Sequence, residues 1–152
     1  MKNFVQKPKP PEPRTLTGAP ITEYMARNLI TFTPETEMAT VINTLLEKKI
    51  SGGPVLNEKN EIVGLIDDKD CLGVVVQDAY HNQPGGKETV SMYMSNVMRT
   101  INVDADVVDA VNIFLRTPFK RLLVLDHDGK LVGQISRRDI LRAIKDMKST
   151  TW

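Results

Sequence analysis

A chain of 152 residues with 41% hydrophobic residues suits one compact domain, or two small halves that share a core. Its net charge of +1 and its single tryptophan argue against nucleic-acid binding, which needs a basic surface or stacking aromatic rings. One cysteine excludes an internal disulfide and is typical of a reducing compartment. The sequence has no signal core and no apolar run of the roughly 18 residues that span a bilayer. We therefore expect a cytoplasmic protein with no membrane contact.

Residues 1–19 are predicted to form a disordered, proline-rich tail. The prolines within residues 7–13 prevent a helix or a central strand and favour an extended chain. We interpret the tail as a tether, with a proline-rich ligand for another protein as the alternative.

Residues 20–80 have the pattern of a small α/β unit. A short helix (21–27) and a short strand (29–33) precede an amphipathic helix. Two strands (54–57 and 61–66) then precede a second helix (68–79). The helical spacing predicts one buried face on each helix, made of Met38, Val41, Ile42, Leu45 and Leu46 in the first, and of Cys71, Leu72, Val75 and, at its margin, Val76 in the second.

Residues 81–89 are predicted to be a linker. Its Pro-Gly-Gly-Lys sequence is similar to a phosphate-binding loop, but Glu88 follows the lysine where serine or threonine is required. His81 holds the place of the first glycine, so we interpret the segment as a flexible joint.

Residues 90–148 repeat the same order of elements. A short helix (90–96) and a strand (98–102) lead to a helix capped by Asp104 or Asp106. Two strands (122–126 and 130–135) and a last helix (137–147) follow. The predicted buried helix positions are Val107, Ala110, Val111, Phe114 and Leu115 in the first long helix, and Ile140, Leu141 and Ile144 in the last.

An internal repeat relates the two units. At an offset of 69 residues, the segment from about Tyr24 to Leu72 matches the second unit without a gap. The predicted fold is α/β (α+β), with two β-α-β-β-α repeats, each behind a short leading helix and with a three-stranded sheet. A single repeat would expose one sheet face, so we expect the two sheets to pack face to face with pseudo-two-fold symmetry. Near its end, each copy has a heptad with glycine, isoleucine and aspartate at the same positions. The two heptads are Gly64-Leu65-Ile66-Asp67-Asp68-Lys69-Asp70 and Gly133-Gln134-Ile135-Ser136-Arg137-Arg138-Asp139.

The second heptad straddles the predicted start of the last helix. The free backbone N–H groups of a helix N-terminus favour an anion such as phosphate, and Ser136 can add a hydrogen bond to it. Asp139 lies on the same helix face and can accept hydrogen bonds from a diol such as a ribose. The alternative is structural, with Ser136 capping the helix and Asp139 favouring its first turn.

The tandem closely resembles a pair of CBS domains (cystathionine-beta-synthase domains), also called a Bateman module. The resemblance covers about residues 21–147. It implies regulatory binding of an adenosyl ligand in clefts between the repeats, and a homodimer. AMP, ADP or ATP is the implied ligand, with S-adenosylmethionine or NAD as further candidates. The features that carry the resemblance are the duplicated order of elements, Ile50-Ser51-Gly52-Gly53-Pro54-Val55 and the paired heptads.

For the cleft of the second repeat, the resemblance implies that Asp139 holds the ribose and Ser136 the phosphate. Lys120 and Arg121 match a basic pair that reaches phosphate, with a solvated loop pair as the alternative. The resemblance further places Arg99, Thr100 and Ile101 on the first strand, and Leu122 and Leu123 at the adenine edge.

The cleft of the first repeat departs from this pattern. A carboxylate at Asp67 replaces the hydroxyl and repels phosphate, and Gly52 replaces Arg121. We expect this cleft to be empty, to bind a ligand without phosphate, or to need a bridging Mg²⁺. A metal at Asp67, Asp68 and Asp70 is less favoured than a capped, solvated helix start. The resemblance assigns the ribose to Asp70, and the adenine wall to Ile30, Thr31, Phe32, Gly53 and Pro54.

The residues do not suggest an enzyme. His81 and His127 lie in a predicted linker and turn, and Cys71 lies on an apolar face. We expect no catalytic cofactor and no metal. The favoured function is a stand-alone regulatory module that binds the adenosyl ligand and signals to a partner protein, which the sequence does not identify, by conformational change. The alternative is a ligand-blind dimerisation or scaffold module.

Overall fold

The computed structural model describes residues 18–81 and 87–149, and the side chains of 18–77 and 87–147 within them. The predicted tail, apart from residues 18 and 19, and the centre of the predicted linker lie outside the described residues. No helix in the described part of the chain is long and apolar enough to cross a membrane.

The described elements form a mixed α+β fold, as predicted, with two small sheets. The first half contains a 3-10 turn (Ile21–Glu23), α1 (Met38–Lys48), β1 (Gly52–Leu56), β2 (Ile62–Asp67) and α2 (Asp68–His81). The second half contains α3 (Val90–Tyr93), β3 (Thr100–Asn102), α4 (Val107–Arg116), β4 (Arg121–Leu125), β5 (Leu131–Ser136) and α5 (Arg137–Ser149).

The first sheet has two strands where the sequence predicts three. β1 and β2 pair antiparallel, and the predicted strand 29–33 is reduced to a parallel bridge between Phe32 and Val55. The second sheet has the order β3-β4-β5, and its parallel pairing includes a hydrogen bond from Leu123 N–H to the Arg99 carbonyl, 3.0 Å long. Pro54 occupies the position of Leu123 in the first repeat and has no N–H to donate, so the ladder there cannot extend in the same way.

The leading segment of each repeat packs on the opposite repeat. The sequence places each short helix next to the unit that follows it and did not predict this exchange. Ala26 and Gln134 exchange backbone hydrogen bonds of 2.8 and 2.9 Å, and Ser95 and Leu65 exchange two of 2.9 Å. Ile21 is therefore fully buried in the core of the second repeat, and Val90 is fully buried in the core of the first.

The glycine that opens each heptad makes room for the exchanged segment. A Cβ at Gly133 would lie 2.6 Å from the Met25 sulfur and 2.8 Å from the Ala26 carbonyl oxygen. A Cβ at Gly64 would lie 2.9 Å from the sulfur of Met94 and 2.9 Å from the carbonyl oxygen of Ser95. Gly64 and Gly133 therefore mark the crossing points, where the leading segment of one repeat passes against the sheet of the other.

Each repeat has its own core, and several apolar helix positions lie outside it. The buried residues are Phe32, Met38, Val41, Leu45, Val55, Ile66 and Val90 in one core, and Ile21, Met25, Ile101, Val107, Ala110, Leu122, Val124, Ile135, Ile140 and Ala143 in the other.

Six of the helix positions predicted to be buried are exposed. The helical period marks an apolar face, but one sheet covers only part of its width. Leu46 matches Leu115 and Leu72 matches Leu141 at the repeat offset, so both repeats expose the same face. We call these residues the outer apolar face: Leu46 (72% exposed), Leu72 (69%), Val75 (70%), Val76 (53%), Leu115 (79%) and Leu141 (63%).

Asp106, rather than Asp104, caps α4. Its side chain accepts a hydrogen bond from Asp109 N–H at 2.9 Å, and the Asp109 side chain accepts one from Asp106 N–H at 3.0 Å. The N–H of Asp109 holds the pKa of Asp106 below its usual value, with Gly18 N–H adding a second hydrogen bond. Asp104 instead pairs with His127 at 3.1 Å.

Candidate functional site: a basic cleft between the two repeats

A cleft of about 690 Å³ lies between the repeats and is lined by both. This volume is within the range of small-molecule sites. We call it the basic cleft. Its lining residues are Ala26, Asn28, Leu29, Ile30, Lys49, Ile50, Ser51, Gly52 and Pro54 from the first repeat, and Lys120, Arg121, Gln134, Ser136, Arg137 and Arg138 from the second.

The charge of this cleft has one sign. Among the described residues that line it, there is no aspartate or glutamate. The start of α5 also opens onto it, and the positive end of the helix dipole adds positive potential. An anion is therefore favoured here. The cationic lining residues are Lys49, Lys120, Arg121, Arg137 and Arg138.

Two arginines of the cleft are held in place by hydrogen bonds, and that of Arg121 crosses between the repeats. The Arg121 guanidinium donates from Nη2 to the Ser51 hydroxyl oxygen, which joins the second repeat to the first. Arg137 donates to the Phe119 carbonyl at 3.2 Å and its backbone N–H to the Lys120 carbonyl at 3.4 Å. These contacts hold positive charge on both sides of the turn before α5.

The side chains of Ser136 and Asp139 bond to each other at this turn. Asp139 Oδ2 accepts from the Ser136 backbone N–H at 2.8 Å and from its hydroxyl at 3.0 Å, and Asp139 N–H donates back to Ser136 Oγ at 3.2 Å. In this state the pair forms the predicted helix cap. A serine hydroxyl has one proton, so it cannot donate to Asp139 and to a ligand at once.

Arg142 connects this turn to the exchanged segment. Its guanidinium pairs with Asp139 Oδ1 and also donates to the Tyr24 carbonyl at 3.0 Å. The Tyr24 hydroxyl reaches Asp146 on the same helix at 3.2 Å. Asp139 is therefore connected through Arg142 to the segment that crosses between the repeats.

The structure groups the predicted site residues differently from the sequence. Ile30 and Pro54, predicted for the first cleft, line the same cleft as Lys120, Arg121 and Ser136, predicted for the second. The two sets combine because the leading segments cross between the repeats. The basic cleft thus draws its wall from the first repeat and its helix start from the second.

The other predicted residues do not line the basic cleft. Asp139 lies behind Ser136, with its side chain 14% exposed. Thr31 lines a different cavity, and Arg99 and Thr100 are exposed. The side chains of Phe32, Ile101 and Leu122 are buried in the cores, and Leu123 and Gly53 are buried as well.

The first heptad forms the same cap from two carboxylates. Asp67 N–H donates to Asp70 Oδ2 at 3.0 Å and Asp70 N–H donates to Asp67 Oδ1 at 2.9 Å. Burial raises the pKa of Asp70, and the charges of Asp67 and Asp68 raise it further. No group of three or more His, Cys, Asp or Glu side chains in the described ranges could hold a metal ion. A Cβ at Gly52 would lie 2.5 Å from the Ile66 carbonyl oxygen, so no cation replaces Arg121 there.

Sequence reasoning missed Gln134. Its side-chain Oε1 is buried and has no hydrogen-bond partner among the described residues, yet the residue lines the cleft. It lies two positions before Ser136 on β5, so both side chains leave the same face of the strand. The sequence signal is a glutamine at the position of Leu65. The other residues that were not assigned to the site are Ala26, Asn28, Leu29, Lys49, Ile50, Ser51, Gly52, Arg137 and Arg138.

Curated relatives of this chain contain CBS domains. The chloroplastic CBS domain-containing protein CBSX2 of Arabidopsis thaliana is 26% identical over 148 residues, which cover 82% of this chain and 62% of that protein. The chloroplastic CBSX1 of the same plant is 29% identical over 140 residues, which cover 76% and 58%. The chain spans 42% to 62% of the length of the first relatives that it matches.

Solved structures share the fold. The crystal structure of CBSX2 in complex with AMP matches with a TM-score of 0.74 at 30% identity, covering 86% of this chain and 99% of that one. The CBS domain pair of protein MJ0100, in complex with 5-methylthioadenosine and S-adenosyl-L-methionine, matches with a TM-score of 0.70 over 84% and 96% of the two chains. Its identity is 19%, which supports the common fold alone.

The model of the CBS domain family matches the chain twice, at residues 21–77 and 90–146. These matches coincide with the two copies of the internal repeat. The chain therefore belongs to the CBS domain family and carries two CBS domains in tandem.

Proposed function

We propose that the chain is a regulatory module that binds an adenine nucleotide in the basic cleft and signals the binding to a partner protein. The observation that carries this proposal is the single sign of charge in a cleft lined by both repeats. Five cationic side chains without a carboxylate among the described lining residues favour phosphate groups. The AMP complex of the relative CBSX2 supports the choice of an adenine nucleotide.

The phosphate would bind at the start of α5. Arg121 exchanges its contact with Ser51 for bidentate contact with phosphate oxygens. The Ser136 hydroxyl turns from Asp139 toward the phosphate, because it has only one proton to donate. Asp139 Oδ2 then has a lone pair available for a ribose hydroxyl.

The base would bind against the wall from the first repeat. Leu29, Ile30 and Pro54 provide its apolar contacts. The unpartnered Gln134 Oε1 would accept a hydrogen bond from the exocyclic amino group of adenine. Guanine has a carbonyl oxygen at the equivalent position, so it would bind only if the Gln134 amide turned to present its NH2 group, and we expect guanine nucleotides to bind more weakly.

Binding would be converted into a signal through the contact between repeats. A ligand held by residues of both CBS domains stabilises the orientation in which those residues are closest. The Asp139–Arg142–Tyr24 contacts carry a change at the turn to the exchanged segment. The step is a change of population between orientations and needs no catalytic residue.

We further propose that the protein is a homodimer that pairs through the outer apolar face. This face has exposed leucines on both repeats, so a two-fold dimer through it would bury the patches of both repeats of each chain. A charge introduced at the matched positions, in the variant Leu72→Asp/Leu141→Asp, should give monomers in light scattering. The variant Val97→Asp makes the same apolar-to-charged change at a position that is 69% exposed and outside this face, and it should stay dimeric. A monomeric wild-type protein at micromolar concentration would contradict the proposal.

A ligand-blind scaffold is the second candidate function. Ser136 and Asp139 satisfy each other's hydrogen bonds in this structure, so the turn is complete without a ligand. The exposed outer apolar face fits a scaffold equally well. The two functions differ in whether any adenine nucleotide stabilises the fold.

Thermal unfolding with a set of ligands separates these functions. We expect ATP and ADP to stabilise more than AMP, and AMP more than adenosine, because the cleft attracts negative charge. S-adenosylmethionine should stabilise weakly because its sulfonium is positive, NAD should fall near ADP, and GDP should be weaker than ADP. A ligand at a hundred times its Kd adds about 2.7 kcal/mol to the free energy of unfolding. The rise should disappear in Asp139→Ala and persist in Asp70→Ala. No rise with any of these ligands at millimolar concentration would leave the scaffold.

A further inference from the structure

A second cavity between the repeats has no role in the proposed function. It has a volume of about 480 Å³ and lies at the tips of the two β-hairpins. Leu29 lines both this cavity and the basic cleft, so the two are neighbours. We call it the hairpin cleft. Its lining residues are Arg27, Leu29, Thr31, Leu56, Lys59 and Asn60 from the first repeat, and Lys130, Leu131 and Val132 from the second.

The hairpin cleft combines exposed cations with half-buried aliphatic side chains. Arg27, Lys59 and Lys130 are exposed, and they come from three distant segments of the chain. None of the described residues that line this cleft is an aspartate or glutamate. Its apolar surface is made of the partly buried residues Leu29, Leu56, Leu131 and Val132.

Hydrogen bonds hold the backbone at both lysines. Lys59 N–H donates to Asn57 Oδ1 at 2.9 Å, and Lys130 N–H donates to Asp126 Oδ1 at 2.9 Å. Arg27 donates from its guanidinium to the Thr22 carbonyl at 3.3 Å. The two lysines therefore extend from turns whose backbone is held by hydrogen bonds, which fixes the points from which their side chains reach the cleft.

The internal repeat provides a control for this charge pattern. At the repeat offset, Lys59 corresponds to Asp128 and Lys130 corresponds to Glu61, while Arg27 corresponds to Asn96. The symmetric location thus has two carboxylates where the hairpin cleft has two lysines. The basic character is a property of this one cleft and does not follow from the fold.

We propose that the hairpin cleft is a second ligand site, for a small phosphorylated molecule with an apolar or planar body. Three converging cations require more than one negative charge, which a phosphate monoester provides near neutral pH. The aliphatic surface requires an apolar body next to that phosphate. The site is independent of the nucleotide proposed for the basic cleft. Because both repeats line it, a bound ligand would also stabilise their contact.

The test is an NMR titration with phenyl phosphate, which has both features and no adenosine. Backbone amides of Thr31, Asn60, Lys130 and Leu131 should shift, while the affinity for inorganic phosphate should be about tenfold lower because it has no apolar body. Shifts confined to Ser136, Arg137 and Arg138 would overturn the proposal by assigning the phosphate to the basic cleft.

The charge of the site is tested with the residues of its symmetric location. In Lys59→Asp/Lys130→Glu the affinity for phenyl phosphate should fall about tenfold or more, since two attractions become repulsions. The neutral variant Lys59→Gln/Lys130→Gln should give a smaller loss and guards against misfolding of the first. Lys145→Glu, an exposed charge change on α5 outside both clefts, should bind as the wild type does. Equal affinity in all three variants would refute the site.

Discussion

The turns that begin α2 and α5 share one backbone design and differ in charge. Asp67 and Asp70 exchange two backbone-to-side-chain hydrogen bonds, and so do Ser136 and Asp139, with lengths between 2.8 and 3.2 Å. The first turn crowds carboxylates, whereas Arg142 neutralises Asp139 in the second. The cap alone therefore does not indicate a ligand site.

The difference between the turns resides in what surrounds them. Gly52, close to the first turn, cannot carry a side chain because a Cβ would lie 2.5 Å from the Ile66 carbonyl oxygen. Arg121 has the matching position in the second repeat and reaches Ser51 across the cleft. Both repeats therefore keep the same backbone arrangement at the turn, but only the second has the positive side chains that phosphate needs.

The largest effect on stability is expected from substitutions at Gly64 and Gly133, where the leading segment of one repeat packs on the other. Gly133→Ala would place a methyl group 2.8 Å from the Ala26 carbonyl oxygen, and Gly64→Ala would place one 2.9 Å from the Ser95 carbonyl oxygen. Each should lower the free energy of unfolding by about 1–3 kcal/mol, because the exchanged segment must shift. Chemical denaturation measures both.

Gly73→Ala is the matched control for this pair. Its Cβ would meet only the Tyr93 ring, at 3.3 Å, and alanine favours the helix. We expect a change of less than about 1 kcal/mol in either direction. A large loss of stability in one of the variants Gly64→Ala and Gly133→Ala, with none in the other, would contradict the equivalence of the two crossing points.

Removing the charge of one aspartate in each turn should have opposite effects. Asparagine keeps the cap in both places. The pKa of Asp70 is raised above 3.8 by burial, so the folded state binds more protons than the unfolded state just above that pH. The penalty grows as pH rises through this window and is complete above it. Asp70→Asn should therefore be more stable than the wild type at pH 7, by less than about 1 kcal/mol because the group is partly exposed.

The two aspartate variants are compared by urea denaturation at several pH values. The advantage of Asp70→Asn should vanish as the pH falls below 3.8, since both forms are then neutral at this position. Asp139→Asn should instead be less stable at pH 7, because it loses the ion pair with Arg142. A loss of stability in both variants would contradict the electrostatic difference between the turns.

Arg142→Gln should have a smaller effect on stability. The change removes the ion pair to Asp139 and the hydrogen bond to the Tyr24 carbonyl, both from a side chain that is 61% exposed. We expect a loss of about 0.5–1 kcal/mol, or a fall of about 2–4 °C in Tm. The control is Arg138→Gln, whose exposed side chain lies on the same helix. An equal fall in both variants would remove Arg142 from the contact with the exchanged segment.

The smallest expected change is a pKa shift within the first turn. Asp67→Ser removes one of the charges that raise the pKa of Asp70, while a serine cap remains. The pKa of Asp70 should move toward its ordinary value, as an NMR titration of its side-chain carbon would measure. It should not reach that value, because burial is the largest cause and is unchanged. An unchanged pKa would show that Asp67 has no electrostatic effect.

Much of the architecture followed from pattern and repeat. The element order and the α+β class were predictable because apolar spacing and turn residues determine them locally. The cap at Ser136 and Asp139 was predictable from a hydroxyl and a carboxylate three residues apart. The reduction of the predicted strand 29–33 to a single bridge was not predictable, because it depends on the missing N–H of Pro54 in the neighbouring strand β1.

The composition of the cleft could not be predicted from one copy of the repeat. An internal alignment matches Ala26 to Ser95 but does not say which sheet each one joins. The exchange of the leading segments depends on tertiary packing, and it brings Ile30 into the same cleft as Ser136. Likewise, helical period marked Leu72 and Leu141 as apolar without showing that no described element covers them.

Isothermal titration of ADP into a matched pair of variants tests the central claim most directly. Ser136→Asp puts the residue of the first turn into the second and keeps a cap, while Asp67→Ser makes the reverse change. We predict that ADP binds the wild type and Asp67→Ser with equal affinity, and binds Ser136→Asp at least about tenfold more weakly, since a carboxylate repels phosphate. Unchanged ADP binding in Ser136→Asp, or a loss in Asp67→Ser, would contradict the assignment of the nucleotide to the basic cleft.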